Sequence, residues 1–149
     1  MKRDISAIAN SLAKKYVTRD PIEIAEELGI EVAYRNLGKI NGYYNTIYGS
    51  KVIRINRRLD ERKKQFVAAH ELGHAILHGD MSTPFMREHT YFSIDKFEIE
   101  ANTFAVNLLI LDSELSEYQR EGFTVQQIAG IYHLPEEFIN LRIYGTMNY

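Results

Sequence analysis

The sequence His70-Glu71-Leu72-Gly73-His74 constrains this chain more than any other feature. Two histidines four residues apart become neighbours on one face of an α-helix, about 6 Å apart along its axis. Both imidazoles can then bind one Zn²⁺, and Glu71 can reach a water on that ion without displacing a ligand. Gly73 costs roughly 1 kcal/mol in a helix interior, so we expect another element to pack closely against it.

The composition narrows the kinds of site that the chain can build. The 149 residues include no cysteine and carry a net charge of −2. Without cysteine there are no disulfides, thiol nucleophiles or thiolate metal sites, so histidines and carboxylates must hold any metal. The charge disfavours bulk attraction to nucleic acid or to anionic membranes. No apolar run reaches the ~20 residues of a membrane span or resembles a signal peptide, which predicts a cytoplasmic protein.

Hydrophobic periodicity and capping residues predict one α+β domain over residues 1–149. Helices are expected over about residues 3–17, 21–29, 61–78, 95–111, 112–120, 124–132 and from 135 onwards, with a loop over 79–93. The domain then comprises N-terminal helices (1–29), a sheet (30–56), two zinc-binding helices (57–111) and a C-terminal helical part (112–149). Asp60 is the expected cap of the motif helix, and Asp112 and Thr124 are the expected caps of two later helices.

Three β-prone segments, at residues 30–34, 43–48 and 51–55, lie before the motif helix. Gly49-Ser50 joins the last two as a hairpin. We therefore expect a small antiparallel three-stranded sheet packed against helices, with the metal site between two long helices. A hairpin strand could pair with an extended peptide substrate, or it could be a plain sheet edge.

A catalytic zinc needs a third protein ligand, and two candidates closely follow the motif. His78 shares the helical face but lies ~12 Å from His70 along the axis, which places it at the rim or in a structural role. Asp80 lies six residues after His74, where one class of zincins has its third ligand. That class breaks the helix with a glycine where this chain has Leu77, which disfavours Asp80.

Two glutamates on the next long helix are the other candidates for the third ligand. Seven and eleven residues after Glu98 are Ala105 and Leu109, which indicate that Glu98 lies on the buried face. Asn102, one turn after Glu98, suits a partner for a ligand or for its histidine. Glu100 shares its stripe with polar residues that are typical of a solvated face. Periodicity therefore favours Glu98 and leaves Glu100 as the alternative.

Two stretches, residues 66–80 and 98–109, resemble the ImmA/IrrE family of metallopeptidases, and a weaker resemblance extends from Pro21 to the C-terminus. In that family the first glutamate of the second stretch is the third zinc ligand, and it corresponds to Glu98. The resemblance implies a gluzincin-like protease core. It also implies a substrate class, since family members cleave helix-turn-helix repressors, which are often encoded beside them on a mobile element or stress operon.

The chain departs from the family pattern in three ways. Ile110-Leu111-Asp112 stands where the family often has Met-Pro, which affects the end of the helix and not the site. From its length we expect neither the N-terminal helix-turn-helix domain nor the C-terminal sensory domain that some relatives carry. The resemblance therefore leaves the activating signal open, and the sequence leaves the oligomeric state open.

These features together predict a zinc endopeptidase in which His70, His74 and Glu98 bind the metal and Glu71 is the general base. Manganese or iron could occupy the same ligands. Candidates for stabilising the oxyanion are His89, Tyr91 and His133. The main alternative is a non-catalytic module that sequesters a repressor through the same fold, although such a module has no need of the Glu71 carboxylate.

Two further features could bind a partner. Residues 51–64 could dock an acidic partner or DNA, or form a solvated surface, since they include seven basic residues: Lys51, Arg54, Arg57, Arg58, Arg62, Lys63 and Lys64. Residues 124–142 have the outline of a helix-turn-helix. Arg142 is their only basic residue, whereas a helix that reads a DNA groove needs phosphate contacts, so we expect them to pack and not to bind DNA directly.

Overall fold

A computed structural model describes residues 3–79 and 91–145 of the protein. Its helices are α1 (Ile5–Tyr16), α2 (Pro21–Glu27), α3 (Glu61–Leu77), α4 (Tyr91–Leu109), α5 (Asp112–Arg120), α6 (Val125–Tyr132) and α7 (Glu136–Tyr144). Its strands are β1 (Glu31–Arg35), β2 (Gly42–Ile47) and β3 (Ser50–Asn56). The α+β class is confirmed. Helix α4 begins four residues earlier than predicted, and most of the predicted loop lies outside the described residues.

Short-range side-chain chemistry sets the starts of several helices. Asp60 accepts a hydrogen bond from the Lys63 amide at 2.9 Å, which satisfies one of the unpaired donors at the start of α3. Thr124 and Gln127 form a capping box at the start of α6. Asp112 was expected to cap α5, but it is the first helical residue, and Leu111 occupies the cap position without a side-chain hydrogen bond.

The sheet is mixed, with strand order β1-β3-β2, so the prediction of an antiparallel sheet is wrong for β1. β2 and β3 form the antiparallel hairpin, whereas β1 pairs with β3 in parallel. The connection from β1 to β2 crosses the end of β3, and Asn56 holds it there. The Asn56 side-chain amide donates to the carbonyls of Gly38 and Ile40, and its backbone N–H donates to Asn41.

The hairpin turn is centred on Tyr48 and Gly49, one residue before the predicted position. Their φ angles are 49° and 80°, so both central residues are left-handed, as a tight type I′ hairpin requires. Glycine meets this requirement without strain, and Tyr48 meets it while fully exposed to solvent.

Helix α3 packs most extensively against α4, which confirms the close contact expected at Gly73. A Cβ at Gly73 would lie 3.1 Å from the Cβ of Phe104 and 3.3 Å from the Cα of Ala101. Both of these α4 residues are fully buried. One apolar cluster joins α1, α2 and the sheet to α3 and α4, and a second joins the end of α4 to α5, α6 and α7.

Side chains from three other elements hold the carboxyl end of α3, where helix carbonyls lack intrahelical partners. The three hydrogen bonds run from Arg3 to the Leu77 carbonyl (3.0 Å), from Lys51 to that of Ala75 (3.4 Å) and from Tyr44 to that of Gly79 (2.7 Å). The last turn of α3, which follows His74, is therefore fixed by the N-terminal segment and by both strands of the hairpin.

The predicted helix-turn-helix outline corresponds to α6 and α7, which are joined at Leu134-Pro135. Ile128 of α6 and Ile139 and Leu141 of α7 are buried in the second apolar cluster. The two helices therefore have a packing role, as expected. Over residues 3–79 and 91–145, no helix is both long enough and apolar enough for a membrane span.

Candidate metal centre

His70, His74 and Glu98 converge at the contact between α3 and α4. The two histidine Nε2 atoms lie 3.2 Å apart. One Glu98 carboxylate oxygen lies 2.8 Å from Nε2 of His70, and the other lies 3.1 Å from Nε2 of His74. Among the described residues, this is the one group of histidine and carboxylate side chains whose donor atoms could together hold a metal ion.

The distances and the chemistry of this donor set fit a zinc ion. Zinc takes histidine nitrogens at 2.0–2.1 Å in a tetrahedral arrangement, which places two such nitrogens about 3.3 Å apart. The observed separation of the two Nε2 atoms, 3.2 Å, is close to that value. Two imidazoles and one carboxylate leave a fourth position for water or substrate, as catalytic zinc sites do.

The other ring nitrogen of His70 contacts Asn102, the residue that the sequence predicted as a partner. Its Nδ1 lies 2.7 Å from Oδ1 of Asn102, so an Nδ1–H donates to the amide oxygen. A neutral His70 in this tautomer has its lone pair on Nε2, directed at the centre of the group. Asn102 is therefore placed to fix both the tautomer and the orientation of His70.

The charge states of His74 and Glu98 also suit a cation. Burial lowers the pKa of His74 to about 4 despite its hydrogen bond to Glu98, so His74 is neutral at neutral pH. For Glu98, burial favours the protonated acid, but hydrogen bonds from both histidines hold its pKa well below the usual range. Burial opposes protonation of His70, yet its hydrogen bond to Glu98 and the Glu71 charge leave its pKa raised. A metal ion bound by these donors would compete with protonation of His70.

Glu71 lies beside the donor group and beneath the start of β2. The residue is 1% exposed. The strand can approach so closely because residue 42 is a glycine. A Cβ at Gly42 would lie 2.5 Å from Cγ1 of Val67, 2.8 Å from the Arg54 carbonyl and 3.8 Å from Cγ of Glu71. Gly42 was missed from the sequence, although a glycine within a strand is a known signal of close backbone approach.

The prediction of a solvated face for Glu100 is wrong. One of its carboxylate oxygens lies 3.3 Å from Nε2 of His78, and the other lies 3.6 Å from Arg3. His78 is 5% exposed and contacts His74 through its other ring nitrogen, so it lies against a candidate ligand. The repetition of histidine at every fourth residue from 70 to 78 was the sequence signal for this contact.

The remaining predicted residues lie elsewhere. Asp80 and His89 fall outside the described residues, as does the side chain of Tyr91. His133 lies at the other end of α3, 3.8 Å from the capping carboxylate of Asp60 and about 15 Å along the helix axis from His70. The structure therefore does not bring His133 to the three donors.

Part of the basic segment at residues 51–64 is neutralised within the fold. Arg54 pairs with Glu31 at 3.3 Å, and Lys64 pairs with Glu61 at 3.2 Å. Arg57 and Arg58 are exposed. A docking function for this segment stays a prediction.

The sequence matches the model of one protein family and is similar to known proteins of a phage and a bacterium. The model of the IrrE N-terminal-like domain (peptidase M78) matches residues 25–144. The chain is 45% identical over 139 residues to "Uncharacterized immunity region protein 2" of Bacillus phage phi105, which covers 93% of this chain and 88% of that protein. It is 33% identical over 129 residues to "Metallopeptidase ImmA" of Bacillus subtilis (strain 168), which covers 84% of this chain and 75% of that protein.

Proposed function

The chain belongs to the IrrE N-terminal-like family of metallopeptidases, peptidase M78, and on that premise we propose that it is a zinc-dependent endopeptidase that cleaves a helix-turn-helix repressor. The observation that carries the proposal is the convergence of His70, His74 and Glu98 beside the buried carboxylate of Glu71. The three donors would hold zinc, and Glu71 would be the general base.

Zinc bound by these ligands would polarise the scissile carbonyl and lower the pKa of a water molecule. Glu71 follows His70 in the sequence, so it projects from α3 one step around the helix from the two imidazoles. In the proposed reaction its carboxylate takes a proton from the attacking water and delivers it to the departing amine. Asn102 keeps His70 oriented throughout, since it contacts the ring nitrogen that faces away from the donors.

Support for a repressor substrate comes from the family and from one relative. Family resemblance implies cleavage of a helix-turn-helix repressor encoded on a phage, a mobile element or a stress operon. The phage phi105 relative carries the name of an immunity region protein, and we take this name as support for that substrate class. No direct contact with DNA is proposed, because α6 and α7 present their apolar residues to the core.

The proposal is tested first by zinc content and then by cleavage. Tag-free protein purified without chelator should hold about one zinc per chain, and Glu98→Ala should lose it. Glu71→Gln should keep the zinc. The rate at which it cleaves a repressor encoded beside its own gene should fall by about 10²–10⁴-fold, the usual contribution of a general base. Glu117→Gln, which changes an exposed glutamate on α5, is the matched control and should behave as the wild type.

Two outcomes would contradict the proposal. Failure of the wild type to hold zinc after zinc is added back would remove the metalloprotease mechanism. A Glu71→Gln variant that still relieves repression in cells would favour a non-catalytic module that sequesters the repressor.

A further inference from the structure

The C-cap residue of α3 is a third histidine that the proposed reaction does not use. His78 is 5% exposed, and both of its ring nitrogens have partners. Its Nδ1 lies 3.0 Å from Nδ1 of His74, and its Nε2 lies 3.3 Å from Oε1 of Glu100. A chain of hydrogen bonds therefore runs from His74 through His78 to a carboxylate on α4.

The positions of the protons along this chain follow from one requirement. If Nε2 of His74 faces a metal with its lone pair, a neutral His74 carries its hydrogen on Nδ1. That hydrogen is donated to Nδ1 of His78, which must then be the acceptor. A neutral His78 consequently carries its hydrogen on Nε2 and donates it to Glu100. Each nitrogen has one consistent role, and the Glu100 carboxylate needs no proton.

The far end of the chain is fixed by the N-terminal segment. Arg3 lies 3.6 Å from the second carboxylate oxygen of Glu100 and donates a hydrogen bond to the Leu77 carbonyl at 3.0 Å. The side chain of Arg3 is 48% exposed, so its ion pair with Glu100 contributes little by itself. Its hydrogen bond to an end carbonyl of α3 nevertheless holds Glu100 and the last turn of the metal-binding helix in one arrangement.

We propose that His78, held by Glu100, is a positioning residue that fixes the tautomer and the ring orientation of His74 for metal binding, as Asn102 does for His70. This inference rests on the proposed metal site. Partners of this kind make ligating histidines more basic and typically contribute about 10- to 100-fold to metal affinity. The two ligand histidines thus have different supports: His70 has a single amide, whereas His74 has an imidazole backed by a carboxylate.

The test compares zinc affinity in two variants of His78. His78→Phe keeps a buried ring but removes the acceptor, so the Nδ1–H of His74 is left without a partner. Zinc affinity, measured by competition with a chromophoric chelator, should fall by about 10- to 100-fold. His78→Asn places an amide oxygen near the former Nδ1 position and should recover most of the affinity. Cobalt substituted for zinc should show a changed visible spectrum in His78→Phe and a spectrum close to that of the wild type in His78→Asn.

Asn107→Ala is the matched control, because Asn107 is a buried polar residue of α4 whose amide donates to the Thr103 carbonyl, away from the three donors. It should lower stability and leave zinc affinity unchanged. If His78→Phe does not fold, Glu100→Ala tests the same chain of hydrogen bonds by removing the carboxylate that holds His78, and zinc affinity should again fall. Zinc affinity within about twofold of the wild type, with an unchanged cobalt spectrum, would overturn the positioning role alone. A wild type that binds no zinc would overturn the proposed function with it.

Discussion

Replacing Gly73 by alanine tests how tightly α3 packs against α4. The added Cβ would lie 3.1 Å from Cβ and Cδ1 of Phe104 and 3.3 Å from the Cα of Ala101. Because one contact is to backbone and Phe104 is fully buried, α4 itself must shift by a few tenths of an ångström. Alanine gains about 1 kcal/mol over glycine in a helix interior, whereas overpacking costs about 1–3 kcal/mol. Zinc affinity should fall as well, since α4 carries the proposed ligand Glu98.

Gly130 in α6 provides the matched control. A Cβ there would meet no atom within 4 Å, and the residue has no positive φ. Gly130→Ala should raise the free energy of unfolding by up to about 1 kcal/mol. The free energy of unfolding of Gly73→Ala should lie about 1–3 kcal/mol below that of Gly130→Ala. Urea unfolding of the metal-free variants measures both values. Equal stabilisation by the two substitutions would refute a close contact between α3 and α4.

Three other perturbations have expected outcomes. Gly42→Ala should lower the free energy of unfolding by about 1–3 kcal/mol and slow substrate cleavage, because its Cβ would lie 2.5 Å from Val67 and push β2 away from the site. Asp60→Ala should destabilise the protein at pH 7 in urea unfolding. The backbone N–H of Lys63 holds the pKa of Asp60 below its usual 3.8, so the stability that the carboxylate supplies is lost as it is protonated. The difference in free energy of unfolding between Asp60→Ala and the wild type should therefore fade below pH 3.8. Burial and a 2.6 Å hydrogen bond to Glu114 raise the pKa of Tyr132 above its usual 10.0, so the stability that the neutral phenol supplies is lost as pH rises beyond that value. The wild type should therefore lose more stability than Tyr132→Phe between about pH 8 and pH 11, and equal losses would contradict the buried hydrogen bond.

The sequence predicted the features that depend on local chemistry. Helix spacing brought His70 and His74 onto one face, and the apolar stripe of α4 distinguished Glu98 from Glu100 as the glutamate that meets them. The capping side chains of Asp60 and Thr124 marked helix starts correctly, because each acts on amides within three residues of itself.

What the sequence missed depends on residues far apart in the chain. A connection of six residues between β1 and β2 suits a hairpin or a crossing, and the observed crossing is held by Asn56, which lies beyond both strands in the sequence. The partial burial of Glu100 likewise depends on His78, just after α3, and on Arg3 in the N-terminal segment. The periodicity of apolar residues describes one helix only. It therefore does not predict a polar partner that comes from another segment of the chain.

Three hydrogen bonds, from Arg3, Lys51 and Tyr44, hold the end of α3 to three other parts of the fold. The last turn of α3 therefore cannot open without breaking contacts to those parts. Helix ends usually exchange their amide hydrogens through small local openings, long before the molecule unfolds. Here the amides around His74 should exchange only through large openings, at rates close to those of the central apolar cluster. A metal ion held by His74 would then leave through the same rare openings, and its dissociation would be slow even at moderate affinity.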